Sequence, residues 1–416
     1  MSTITVQTPE KQTTPENRGV EQLTQEMRTL GVQVSNVKFM NLLLLKYIRG
    51  ECNFTDPRTI FARGLILESG TLKPICVPPE KNQKFPFFIQ SITDWDKVLI
   101  EEFIDGTMIN VFHYGGEWHI STRSKIGAKC RWTSDMKFNE MFEEAKGDLD
   151  FNKLNPELTY SFVLRHPDNR IVTKYEKADL VLVQVRQQYL ELDLLKIVEE
   201  LKANGLDITI PKRYTHSSLD SVLTQISGMT FEEQGLVFKH HGARSKLRNE
   251  KYSYVKAMRG NNPKLFHTYL ELRNNKMIKQ FLGYFPEHSE QFMDWRDQIF
   301  RMTSLLHQCY VNYHIKHCIE KDTIPYELRP LLYELHGQHK TMRIKVTFEY
   351  AKQYFNSLPI KKIIFIINYQ KNKEYHEGKR THVGISGEEL QGKLEEQMVE
   401  VETDEQMEVV SSKSNE

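Results

Sequence analysis

With 416 residues, 39% hydrophobic and 27% charged, the chain is long enough to bury a real core and to divide into two or three domains. No apolar run reaches the roughly 18–20 residues needed to span a bilayer, and the opening MSTITVQTPEKQTTPENRG lacks the apolar core of a signal peptide. The five cysteines (Cys52, Cys76, Cys130, Cys309, Cys318) are odd in number and scattered, which argues against a disulfide framework and for the cytoplasm or another reducing intracellular compartment.

Taken in chain order, residues 1–20 are rich in Thr, Gln, Glu and Pro and are expected to be disordered. GVEQLTQEMRTLGVQ and VKFMNLLLLKYIRG read as helical or mixed segments leading into the core. RTIFARGLILES, KVLIEEF, TMINVFHY and EWHISTRS alternate as strands do, with Gly115-Gly116 as a hairpin turn. LTYSFVL, RIVTKY and DLVLVQVR continue the β pattern, and LDLLKIVEELKANG reads as a helix ended by Gly205. GLVFKH and KYSYVKAM supply two more strands. After Asn261-Asn262-Pro263 the period turns helical, in KLFHTYLELRNNKMIKQFLGYF, SEQFMDWRDQIFRMTSLLHQCYVNYHIKH and ELRPLLYELHGQHK. The expected organisation is a disordered segment 1–20, an α+β domain over 21–260, a mainly helical domain over 261–386 and an acidic disordered tail over 387–416.

The net charge of +1 conceals a segregation. Lys239 to Lys279 holds eleven Lys and Arg against two acids, whereas the stretch from Glu388 to the end holds ten acids against two lysines. A basic middle fits a nucleic-acid surface, and Lys246, Arg248, Lys251 and Arg259 are its candidate RNA contacts. The aromatic residues interleaved there, Tyr252 and Tyr254 among them, could stack on bases or enter the core.

Three segments carry a family likeness: Phe103-Ile104-Asp105-Gly106-Thr107, YSFVLRHPDNRIVTKYEKADLVLVQVR and EEQGLVFKH. In order and spacing they resemble the phage-type RNA ligase 1 family of covalent nucleotidyltransferases, over roughly residues 55–260. The resemblance implies a nucleotidyltransferase domain of antiparallel sheets flanked by helices with the nucleotide between them, then an all-helical domain. It also implies ATP and Mg²⁺ as cofactors and RNA as partner. The family's first motif is Lys-x-Asp-Gly-Thr/Ser, and its lysine attacks the ATP α-phosphate. Phe103 stands at that place and has no nucleophile. Lys97, the nearest lysine on the N-terminal side, lies about 20 Å away along a strand.

Other motif positions depart as well. Ser161 replaces a glutamate of the third motif, although Pro167-Asp168-Asn169-Arg170-Ile171-Val172 keeps the turn that follows it. Gln234 replaces the glutamate of the fourth, which removes a hard-cation ligand. The fifth, Lys-x-Lys, is matched to Tyr254 and Lys256. Arg63 in FARGLILES, Asp105, Gly106, Arg123 (with Lys125 as an equal), Lys239 and Lys256 remain as candidate nucleotide or phosphate contacts. The expectation is an RNA-ligase-like protein that binds a nucleotide or RNA end and has lost the family's catalysis. The alternatives are an active nucleotidyltransferase with a displaced nucleophile and a structural interaction protein.

Overall fold

The alternating segments form three antiparallel sheets, all in the first of two units into which the chain divides, Met1–Ala257 and Met258–Glu416. The structure, a computed structural model, describes residues 15–369 and Lys373. Helix α1 (Pro15–Thr29) precedes a sheet in which β1 (Val32–Val37), β2 (Leu42–Tyr47), β3 (Arg63–Glu68) and β4 (Pro74–Cys76) pair in sequence order. The short helix α2 (Phe85–Ile89) and strand β5 (Leu99–Glu102) follow. The second sheet takes β6 (Thr107–Tyr114), β7 (Glu117–Ser121), β8 (Thr159–Arg165), β9 (Asp179–Gln187) and β10 (Leu190–Glu191) in the order β10-β9-β8-β6-β7. Helices α3 (Phe138–Lys146) and α4 (Leu194–Ala203) belong to this part of the chain. The third sheet joins β11 (Arg213–Tyr214), β12 (Gly235–His240) and β13 (Ala243–Arg248) to β5, in the order β11-β5-β12-β13. Helices α5 (Leu219–Gly228) and α6 (Glu250–Arg259) flank β12 and β13 in sequence.

The burial of β9 shows why its sequence, DLVLVQVR, alternates so poorly. Leu180, Leu182 and Val185 enter a core with Phe142 and Phe162, while Val181 and Val183 pack with Ile104 and Val163 on the other face. A strand covered on both sides needs apolar residues at nearly every position. Phe88, Ile100, Val222, Leu236 and Phe238 form the core of the third sheet with α2 and α5. Each such side chain contributes roughly 1.5–3 kcal/mol on burial.

Two expected strands are absent, each for a physical reason. RIVTKY does not join a ladder, because the backbone N–H groups of Val172 and Thr173 donate to the Asp105 carboxylate instead. KYSYVKAM lies in helix α6 despite its aromatic and β-branched residues. Asn249 starts that helix: its side-chain oxygen accepts the Lys251 N–H at 3.0 Å, and its amide donates to the Glu233 carbonyl at 3.0 Å. Capping and burial of Tyr252 thus override local β propensity. Residues 15–20, expected to be disordered, begin helix α1; the acidic tail 387–416 lies outside the described residues.

The second unit is all helical among the described residues. It contains α7 (Leu265–Asn274), α8 (Ile278–Tyr284), α9 (Ser289–Tyr310), α10 (Arg329–Met342) and α11 (Phe348–Asn356). An aromatic core of Tyr269, Phe281, Phe285 and Phe292 joins the first three, with the Phe281 and Phe292 rings stacked at 5.3 Å. The N-terminal unit is therefore the α+β arrangement of antiparallel sheets and flanking helices that the resemblance implied, followed by an all-helical region. Among the described residues no helix is long and apolar enough to cross a membrane.

Candidate functional site

The loop between β5 and β6 carries Phe103, Asp105 and Gly106, and the sheets fix each of them differently. Asp105 is buried and its carboxylate is taken up by the protein. One oxygen accepts the Val172 and Thr173 N–H groups, both at 3.0 Å, and the other accepts the Tyr252 hydroxyl at 2.7 Å. The Tyr175 hydroxyl donates to the Asp105 carbonyl at 2.9 Å. Burial, then the Asp105 charge, pushes both tyrosine pKa values well above the ordinary phenol value. Asp105 is a latch that ties the turn after β8 and helix α6 to the loop after β5. Asn169 adds to it by donating to the Thr107 hydroxyl at 2.8 Å, so the PDNRIV turn serves the latch. At Gly106 (φ +150°) a Cβ would stand 2.4 Å from the Leu164 carbonyl oxygen, so β8 can pass only beside a glycine.

Phe103 faces cations. Its N–H donates to the Gly235 carbonyl at 3.0 Å, and its ring lies 5.2 Å from the Lys246 ammonium and 5.6 Å from the Arg248 guanidinium carbon. Arg244, Lys246 and Arg248 alternate on β13 and therefore share one face of the strand. Burial first, then the charges of Arg248, Arg63, Lys256 and Lys81, pulls the Lys246 pKa down to about 7. The Arg63 guanidinium donates to the Glu80 carbonyl at 3.1 Å, and its pKa is pulled down by burial and by Arg244 and Arg123. Arg123 donates to the Tyr47 hydroxyl at 2.9 Å with its guanidinium over the ring. Burial raises the Tyr47 pKa, but Arg123, Arg63 and Lys81 outweigh it and leave the phenol below its ordinary value.

These residues make a cationic basin. Glu80 is the acid among the leading charges on Arg63, and it already pairs with the buried Arg186. Guanidinium nitrogens of Arg63, Arg244 and Arg248 are buried with no hydrogen-bond partner. Leaving each such donor unsatisfied costs about 1–3 kcal/mol, and the mutual repulsion of the cations adds to that. An anion with several oxygens would remove both costs.

The remaining candidates, Lys256 apart, fall elsewhere or are occupied. The Lys239 ammonium bonds Glu101 and Glu191, both at 3.0 Å, and the Val183 carbonyl at 3.3 Å, which makes it the centre of a neutralised cluster. Lys251 donates to the Ser227 and Met229 carbonyls at 3.1 and 2.9 Å, closing the C-terminal end of α5. Tyr254 is an exposed residue of α6, while Lys256 on the same helix lies 5.9 Å from the Tyr252 ring. Arg259 donates to the Gly260 carbonyl at 3.5 Å. Lys97 is exposed and pairs with Asp94 at 3.0 Å.

Ser161 and Gln234 are both buried. The Ser161 hydroxyl donates to Asn110 at 2.8 Å, and the Gln234 carbonyl accepts the Asn249 N–H at 3.1 Å. Glu233 accepts the Thr230 N–H at 2.8 Å. With Ser161 and Gln234 neutral and the Asp105 carboxylate consumed, this donor set does not suit a divalent cation. Among the described residues no three His, Cys, Asp or Glu side chains gather as metal ligands.

Sequence reasoning did not single out Tyr47, Lys81 and Arg244, whose charges and hydroxyl act on Arg63, Arg123 or Lys246. The overlooked signal was the period-two run Arg244-x-Lys246-x-Arg248, directly after the hairpin that follows GLVFKH.

No protein-family model matches the sequence. Over 180 residues the chain is 29% identical to a protein of Autographa californica nuclear polyhedrosis virus named "Putative bifunctional polynucleotide kinase/RNA ligase", covering 39% of this chain and 26% of that one. It is 24% identical to an immediate-early protein ICP-46 homolog of invertebrate iridescent virus 3, over 56% of this chain and 57% of the other. The chain thus spans about a quarter and just over half of the length of these two relatives. Among solved structures, an archaeal ATP-dependent RNA ligase aligns with a TM-score of 0.44 and 14% identity, over 70% of this chain and 83% of that one.

Proposed function

We propose that the protein is ligase-like and binds the phosphates of a nucleotide, ATP or the 5′ end of an RNA, in the basin formed by Arg63, Arg123, Arg244, Lys246 and Arg248. The observation that carries this reading is the set of buried guanidinium nitrogens of Arg63, Arg244 and Arg248 without hydrogen-bond partners, gathered around Lys246. Position 103 forms no covalent adenylate, since a phenyl ring cannot attack phosphorus. Charge neutralisation comes from arginines in place of a metal.

Equilibrium titration with ATP and with 5′-phosphorylated RNA tests the proposal. Arg244→Gln should weaken both by roughly ten- to a hundredfold, the worth of one charge-assisted contact of about 1.5–3 kcal/mol. Absence of saturable binding by either ligand at low salt would refute it and leave the basin a scaffold.

A further inference from the structure

The three strands around Phe103 bring one lysine to the place that the motif left without a nucleophile. Gly235 stands between β5 and β13: its carbonyl accepts the Phe103 N–H, and it faces Arg248 in the ladder. Two residues on, Val237 pairs with Glu101 on one side and Lys246 on the other, so Lys246 and Arg248 project on the same face as Phe103. At Gly235 (φ +131°) a Cβ would lie 2.2 Å from the Leu247 carbonyl oxygen, so β13 can lie this close only beside a glycine. The Lys246 ammonium lies 5.2 Å from the centroid of the Phe103 ring. Of the other lysines, Lys239 is held by Glu101 and Glu191 and Lys97 by Asp94, Lys81 lies over the Tyr47 and Phe54 rings, and Lys256 lies 5.9 Å from the Tyr252 ring.

We propose that Lys246, delivered across the sheet onto Phe103, is the residue at which this protein accepts an adenylyl group from ATP. This rests on the nucleotide-binding reading above. The lone pair of Lys246 Nζ attacks the α-phosphorus and a P–N bond forms. The bond from that phosphorus to the oxygen bridging the α- and β-phosphates breaks, and pyrophosphate leaves with the electron pair. The proton shed by Nζ passes to the departing pyrophosphate or to water. Arg63, Arg244 and Arg248 meet the charge that develops on the leaving group, and Arg248 and Arg63 oppose protonation of Nζ. An amine whose pKa is drawn down to about 7 is close to half neutral at neutral pH, whereas an ordinary lysine is almost wholly protonated.

The test is incubation of the full chain with ATP labelled in the α-phosphate, followed by denaturing electrophoresis and peptide mapping. Label should survive denaturation, be lost in acid but not in alkali as a P–N bond requires, and map to Lys246 by the mass of an adenylyl group. Lys246→Arg should reduce the label to background while ATP still binds, and Lys97→Ala should leave the label unchanged. Label mapping to another residue, or persisting in Lys246→Arg, overturns the proposal. So does unlabelled wild-type protein that binds ATP, an outcome that leaves the binding reading intact. Failure to bind ATP at all defeats the proposal, and the binding reading falls with it only if 5′-phosphorylated RNA fails to bind as well.

Discussion

Replacing Asp105 separates a latch from a ligand contact. Its carboxylate accepts three hydrogen bonds, two from backbone N–H groups at 3.0 Å and one from a tyrosine hydroxyl at 2.7 Å, at a residue only 4% exposed. Bonds to a charged acceptor are worth about 1.5–3 kcal/mol each. Asp105→Ala removes all three and strands the buried donors, so it should cost at least about 4 kcal/mol of unfolding free energy. Asp105→Asn keeps an oxygen for the two N–H groups and lets its amide donate to the Tyr252 oxygen. It loses only the charge assistance, about 2 kcal/mol. Tyr252→Phe leaves one carboxylate oxygen short of a donor and should cost about 1–2 kcal/mol. Because the two residues share a bond, the double variant should cost less than the sum of the singles. Urea unfolding read by circular dichroism gives all four values. If Asp105→Asn left stability within about 0.5 kcal/mol of wild type while abolishing ATP binding, Asp105 would be a ligand contact and the latch would be refuted.

Three further outcomes are expected. The Lys246 pKa is depressed in the folded protein, so between about 7 and the ordinary lysine value the unfolded chain holds more protons and stability rises with pH. Lys246→Met should therefore be more stable than wild type at pH 6–7, with the gap closing toward pH 10; a gap independent of pH in thermal melts would contradict the buried charge. Lys251→Ala should lower stability by about 1 kcal/mol through its two carbonyl contacts and leave the salt dependence of RNA binding alone, whereas Arg248→Ala should flatten the log–log salt slope by about one. Equal slopes for the two variants would show that β13 does not meet the polyanion. Gly235→Ala places a methyl group 2.2 Å from the Leu247 carbonyl oxygen, and a drop in the urea midpoint equivalent to more than about 3 kcal/mol is expected; a near-neutral result would mean that β13 can shift aside.

The sequence by itself determined the α+β unit and the helical one, because most strands alternate and the segments after Asn261-Asn262-Pro263 have a helical period. It also located the loop that carries Phe103, Asp105 and Gly106, because the run Phe103-Ile104-Asp105-Gly106-Thr107 is legible without any structure. RIVTKY and KYSYVKAM were misread because their backbone donors are claimed by a distant carboxylate and by an Asn cap, contacts that local propensity does not encode. Only the tertiary structure decided what each charge does. Lys239 and Lys246 look alike in the text, yet one meets two glutamates and the other meets arginines and a phenyl ring. A side chain's charge is a local property, but its partner, and so its chemistry, is set by whichever strands the fold brings beside it.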